Sequence, residues 1–235
     1  ELVHPSIYVK AKIKNKSNEY LLIWTTTEWT LSSNLVAAVN PDITYAKVKE
    51  GEDIYYLSES TLNKLKNEYV VLDRIKGSAL VGLEYDSFYP EIDVQKELNH
   101  RVIPFSEVGE TDGTGIVHIA PNCGDIDYEL GKKLNLKIIK PALDEFGNYN
   151  EGYGWLTGKN VKAIKKEIVN DLRTRGILYA VENYKHRYPI CWRCKEELVF
   201  RLDSSWFISC DEIRPIMKKE SAKVIWYPEH VGRLM

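Results

Sequence analysis

The chain has 235 residues, 44 % of them apolar and 28 % charged, a composition that excludes global disorder and leaves ample material for a core. Its net charge of −2 hides an asymmetry: residues 1–158 carry 16 basic and 24 acidic side chains, residues 159–201 carry 11 and 5, and the last 34 carry 5 and 5. The basic stretch reads either as a phosphate-facing strip or as a solvated helix face.

The first ten residues lack the basic start and apolar stretch of a signal peptide. The chain opens on Glu1 rather than Met, which suggests a piece of something longer. Residues 7–14 alternate Ile7, Val9, Ala11 and Ile13 with Tyr8, Lys10, Lys12 and Lys14, the period of a half-buried strand. A second strand opens after Glu19 and runs through residues 20–24 into three threonines. Residues 35–39, 44–48 and 54–57 read as strands separated by turns at Asn40-Pro41-Asp42 and Gly51. Residues 60–68 read as a short helix capped by Ser60, and 70–72 as strand. Residues 113–120 lead into a short buried strand. Residues 124–134 read as a helix with Ile126, Leu130 and Leu134 along one stripe. Residues 160–175 form the clearest helix, with Val161, Ile164, Ile168 and Leu172 as its apolar face, Asn160 as N-cap and Gly176 as stop. There is no internal repeat, and no apolar run nears the roughly 20 residues of a membrane-spanning helix. Many short strands with a few helices predict an α+β, barrel-like body. From about Tyr184 the texture changes to Pro, Cys, Trp and Arg, which predicts two segments, 1–183 and 184–235.

Three stretches carry chemistry. In the first, Trp24-Thr25-Thr26-Thr27-Glu28-Trp29, strand alternation puts Thr25 and Thr27 on one face and Thr26 on the other. Their hydroxyls suit a held water or a ribose hydroxyl, although threonine is also an ordinary strand former. Asn34 reads as a substrate contact or as a turn residue. In the second, 113–121, His118 ends a buried strand and is either a packed core histidine or a pocket wall. Asp127 follows in the first turn of a helix, where backbone N–H groups and the helix dipole favour the ionised form. It reads as an anchor for an ammonium group or as a helix-start stabiliser. The third holds Cys191-Trp192-Arg193-Cys194, the spacing of half a tetrahedral zinc site. Four cysteines are too few for a disulfide scaffold and fit a reducing, cytoplasmic setting. There is no G-x-S-x-G elbow and no H-E-x-x-H pattern.

In that order and spacing the three stretches, with Ser205-Trp206-Phe207 and Trp226-Tyr227-Pro228 after them, resemble the editing insertion (connective peptide 1) of isoleucyl-tRNA synthetases, a class I family. Valyl and leucyl relatives carry Arg-Pro where this chain has Thr27-Glu28, so the isoleucyl type is favoured. The chain departs from the family at Glu28 and Ser32, where proline is usual, and at Ile126, where an acid is common. The resemblance implies an editing domain over 1–183 and a return linker with a half zinc-knuckle over 184–235. It implies a proofreading hydrolase acting on the ester of valyl-tRNA(Ile), with valyl-adenylate as a second candidate substrate and no synthetic active site. The partners it implies are the aminoacylated 3′ end of the tRNA, the valine moiety and the rest of the synthetase chain, with no membrane. Thr25, Thr26, Thr27 and Asp127 would be catalytic, with Trp29, Asn34, His118 and Asp127 binding substrate. No cofactor is implied for editing. Zinc at Cys191 and Cys194 would need two more ligands: Cys210 is available and Cys123 is far away in sequence, while in the resembling enzymes a second C-x-x-C before the insertion, absent here, can close the site. The competing reading is a non-hydrolytic tRNA-docking or zinc-ribbon module.

Overall fold

The computed structural model describes residues 1–137 and 139–234. Strands β1 (Leu2–Lys12) and β2 (Glu19–Thr25) pair antiparallel, with Ile7 opposite Thr25 and Lys12 opposite Tyr20. The alternation in β1 sets this register, because a one-residue slip would turn Ile7, Val9 and Ala11 out of the core. The other edge of β2 forks. Its first half runs parallel to β5 (Asp53–Ser58), with Glu19 beside Ile54 and Leu21 beside Tyr56. At Trp24 a different parallel partner takes over, Val117 of β8 (Ile116–Ile119). The fork therefore delivers the threonine end of β2 to β8.

Beyond β5 lie β4 (Thr44–Glu50) and β6 (Tyr69–Lys76); beyond β8 lie β3 (Val36–Val39) and β7 (Val102–Pro104). On the far side of β1 runs β9 (Leu178–His186), from Leu2 opposite His186 to Val9 opposite Leu178. These nine strands make one curled, branched sheet with few helices, the expected α+β class. No helix among the described residues is long and apolar enough to cross a membrane.

The helices differ in detail from expectation. Helix α2 spans Lys165–Thr174 and buries the predicted stripe, with Ile168 and Leu172 in the main core beside Val161 and Ile164. Gly176, at φ +70°, ends it. Asn160 does not cap it: its Oδ1 accepts the Lys162 N–H in a preceding turn, and Ile164 sits at the cap. Helix α1 spans Asp125–Lys133, and only Leu130 of its predicted stripe is buried; Ile126 is 66 % exposed. A helix this short touches the sheet along one line, so residues four apart need not all reach it. The helix predicted at 60–68 is a 3₁₀ segment, Glu59–Lys64, broken at Thr61, and Ser60 Oγ donates to Glu110 instead of capping. Leu172→Ala is expected to cost about 2–5 kcal/mol as a cavity in the core. Ile126→Ala should stay within about 0.5 kcal/mol, and chemical denaturation of the two variants checks the contrast.

The chain divides into two units, Glu1–Leu202 and Asp203–Met235. Strand β9 carries the first unit through the expected division at 183/184, because its pairing with β1 continues to His186. The second unit holds helix α3 (Arg214–Ser221), which buries none of its residues, and leaves Trp206, Phe207 and Ile208 almost wholly exposed.

Candidate functional site

Strand β2 stops at Thr25, and the chain bends before a 3₁₀ turn, Glu28–Ser33. The Thr27 N–H donates to Thr25 Oγ1 (3.1 Å), and the Thr25 and Thr27 hydroxyls meet at 3.3 Å. Thr27 Oγ1 lies 3.0 Å from Thr30 Oγ1, which donates to the Thr27 carbonyl at 2.7 Å. Thr30 Oγ1 is also 2.9 Å from His118 Nε2. Thr25 and Thr27 thus meet on one side, but through the bend that the Thr27 N–H to Thr25 Oγ1 bond closes and not through strand alternation, because the strand ends at Thr25. Thr30 was not singled out from sequence. The missing signal is the 3₁₀ period of three, which stacks residue i over i+3.

The proton placement follows. Thr30 has one hydroxyl hydrogen, and the carbonyl of Thr27 can only accept it. His118 Nε2 must therefore donate to Thr30, which leaves Nδ1 as a bare lone pair. That atom is enclosed and has no partner among the described residues. Burial pushes the imidazole down to about 4, so it is neutral at pH 7 and a weak base. Thr30→Val would orphan the Nε2–H inside the protein. The expected loss is about 1–3 kcal/mol of stability, read as a lowered melting temperature.

The threonines and His118 meet because β2 and β8 are in parallel register at Trp24 and Val117, so Thr25 runs beside His118. The loop before β8 makes that approach close. Gly113 sits at φ +58°, and a Cβ there would lie 2.4 Å from the Trp24 ring. Gly115, at φ +69°, would meet Ser58 at 2.6 Å. Both positions of Gly113-Thr114-Gly115 thus need glycine for backbone and for space.

Asp127 stands in the first turn of α1, but its Oδ2 accepts the Ala120 N–H at 2.7 Å. The carboxyl therefore folds back over the end of β8, two residues beyond His118. The expectation that the helix start favours its ionised form does not hold. Desolvation outweighs that one hydrogen bond and raises the carboxyl to about 6.

Trp29 is buried in the main core, its carbonyl accepting the Tyr149 hydroxyl at 2.8 Å. Asn34 is buried and engaged at both ends, accepting from Tyr85 Oη (2.8 Å) and donating to the Val36 carbonyl (3.1 Å). Its turn reading is the one these contacts support. Thr26 faces away from its neighbours and, with Glu28, lines a cavity of about 350 Å³ against α2. Cys191 and Cys194 are free thiols on a tight knuckle closed by the Cys191 N–H to the Glu196 carbonyl. Backbone N–H groups of Cys194 and Arg193 lower the Cys191 thiol, which suits a thiolate ligand. Among the described residues no three His, Cys, Asp or Glu side chains are grouped to hold a metal ion.

No protein-family model matches the chain. It is 41 % identical over 243 residues to the isoleucine–tRNA ligase of Pyrococcus abyssi, 39 % over 230 to that of Methanothermobacter thermautotrophicus and 38 % over 240 to that of Sulfolobus acidocaldarius. Each alignment takes in 97 % of this chain, but the chain spans only 22–23 % of those relatives' length. Solved structures that share its fold include two editing domains. The P. knowlesi cytosolic leucyl-tRNA synthetase editing domain superposes with a TM-score of 0.58 at 14 % identity, covering 78 % of this chain and 97 % of that one. The corresponding P. falciparum domain superposes at 0.57 and 15 %, covering 78 % and 100 %.

Proposed function

We propose a hydrolytic proofreading function on the premise that this chain belongs with the editing domains of class I aminoacyl-tRNA synthetases, on the isoleucine–tRNA ligase side of that family. The substrate is valine esterified to the 3′ end of tRNA(Ile), and valyl-adenylate is a second candidate. Water attacks the ester carbonyl, the bond to the ribose oxygen breaks, and the proton ends on that oxygen. An aminoacyl ester is already activated, so holding a water at the carbonyl supplies much of the rate. The Thr25–Thr27–Thr30 hydroxyls are the groups to hold it, and this chain of hydroxyls ending on His118 is the observation that carries the reading. Asp127 takes the α-ammonium. His118, neutral and enclosed, bounds the side-chain pocket instead of acting as base.

A second site is useful because one methylene changes binding by only about 1–3 kcal/mol, a limit known from isoleucine-against-valine discrimination itself. The setting is the cytoplasm, and the exposed Trp206, Phe207 and Ile208 of the second unit are the surface for the rest of the synthetase. Zinc at Cys191 and Cys194 would need ligands from that body. The test is a time course of valine release from valyl-tRNA(Ile) with this chain in excess. Release above the buffer rate supports hydrolysis, whereas binding without release favours the tRNA-docking module.

A further inference from the structure

Thr30 carries the hydroxyl chain from Thr27 to His118, and its place is set by the 3₁₀ turn of six residues, Glu28–Ser33. A turn this short has poor hydrogen-bond geometry and leaves its last carbonyls without partners inside it. Buried side chains from distant segments hold it instead. Tyr149 donates its hydroxyl to the Trp29 carbonyl at 2.8 Å, and the Ser32 hydroxyl donates to the same oxygen at 2.9 Å. Gln95 Nε2 donates to the carbonyl of Ser32 at 2.8 Å and to that of Asn34 at 3.2 Å. Gln95 Oε1 in turn accepts the Ser87 hydroxyl at 3.3 Å. Gln95 and Tyr149 are only 3 % and 2 % exposed, so bulk water does not reach these bonds.

The two clamps bracket Thr30. Tyr149 holds the peptide that joins Trp29 to Thr30, and Gln95 holds the turn two residues further on. The roles of the Gln95 amide are fixed by its partners, because both carbonyls can only accept and the Ser87 hydroxyl can donate. An apolar side chain of the same size would fill the space but leave two carbonyls orphaned. Burial raises the Tyr149 hydroxyl well above its ordinary range, so it stays a donor at neutral pH. Thr30 Oγ1 lies 3.0 Å from Thr27 Oγ1 and 2.9 Å from His118 Nε2. A shift of the turn loosens both contacts at once.

We propose that Gln95 and Tyr149 are positioning residues of the hydrolytic site, which hold Thr30 where its hydroxyl completes the chain from Thr25 to His118. The proposal rests on the hydrolytic reading for its effect on rate, and on the two clamps for its geometry. A held water reacts only as well as it is placed, and a misplacement of about 1 Å is worth on the order of a hundredfold. Ester binding through Asp127, whose carboxyl is held by the Ala120 N–H, does not pass through this turn. Loss of either clamp therefore acts on kcat and spares KM.

The experiment measures kcat and KM on valyl-tRNA(Ile), and the ¹⁵N shifts of the His118 ring, for the full chain and its Tyr149→Phe, Gln95→Leu and Thr30→Val variants. Tyr149→Phe and Gln95→Leu are expected to lower kcat on the order of ten- to a hundredfold with KM unchanged. Combining either with Thr30→Val should cost nothing beyond Thr30→Val alone, because the clamps act through Thr30. The His118 shifts should report the Nε2–H tautomer in wild type and move toward a mixture in both clamp variants. An unchanged kcat, a change in KM alone, or losses that add to that of Thr30→Val would overturn the role. A merely structural part would lower the melting temperature and leave kcat and the His118 tautomer as in wild type. Should Gln95→Leu fail to fold, Tyr149→Phe, which removes a single oxygen, carries every readout. If wild type releases no valine, the hydrolytic reading fails, and the His118 tautomer decides the positioning separately. A shift in the clamp variants supports it, and wild-type shifts overturn it.

Discussion

Asp127→Asn is expected to cut hydrolysis of a valyl ester about 10- to 150-fold, the worth of one charge-assisted hydrogen bond of about 1.5–3 kcal/mol. The asparagine keeps the shape and can still accept the Ala120 N–H that Asp127 Oδ2 takes at 2.7 Å. Only the charge offered to the ammonium is removed. The same argument fixes a pH dependence. Asp127 titrates near 6 in the folded protein, against about 3.9 for an ordinary aspartate, so kcat/KM should fall as the pH drops through 6 and the carboxylate is lost. The stability sign is opposite. A carboxyl raised by burial favours the folded state while protonated, and that contribution is lost as the pH rises from about 4 through about 6. At neutral pH Asp127→Asn should therefore leave the melting temperature equal or higher while activity falls. A fall in both together would mark Asp127 as structural.

His118→Ala is expected to change selectivity more than rate. If the imidazole bounds the side-chain pocket, its removal opens room for the extra methylene of isoleucine. The ratio of valyl to isoleucyl hydrolysis should then drop about 10- to 200-fold, the range one methylene is worth. Thr30 would keep its bond to the Thr27 carbonyl, so the hydroxyl chain survives the substitution. Parallel deacylation of the two esters measures the ratio. Loss of valyl hydrolysis with no gain on isoleucyl ester would instead assign His118 to the chemistry.

Much of this site is legible in the sequence, and the reasons for the remainder are physical. Strand period puts Thr25 and Thr27 on one side, and they do meet, but through a side-chain turn after the strand has ended at Thr25. The apolar face of α2, Ile168 and Leu172, follows from 3.6 periodicity, and Val161 and Ile164 of the same stripe are buried just before the helix. Local pattern fails where a tertiary contact competes. Asp127 sits at a helix start, which predicts a lowered carboxyl, but enclosure against the end of β8 reverses the sign. Asn160 and Ser60 look like caps, yet each hydroxyl or amide is claimed by another partner. Thr30 joins the site only because the segment after Thr27 winds as a 3₁₀ turn, which strand or helix period does not signal. The forked edge of β2, which brings Thr25 to His118, is a long-range pairing that no local period encodes. Glu28 was visible only as a departure from the family's proline, and no local pattern signals that its Oε1 is enclosed without a partner among the described residues.

The most direct test of the central claim is the deacylation rate of valyl-tRNA(Ile) beside isoleucyl-tRNA(Ile), with wild type and Asp127→Asn measured together at pH 7.5. The account predicts valine release well above the isoleucine rate, reduced about 10- to 150-fold by the substitution. Equal release of both amino acids, or a valine rate indifferent to Asp127→Asn, would contradict it.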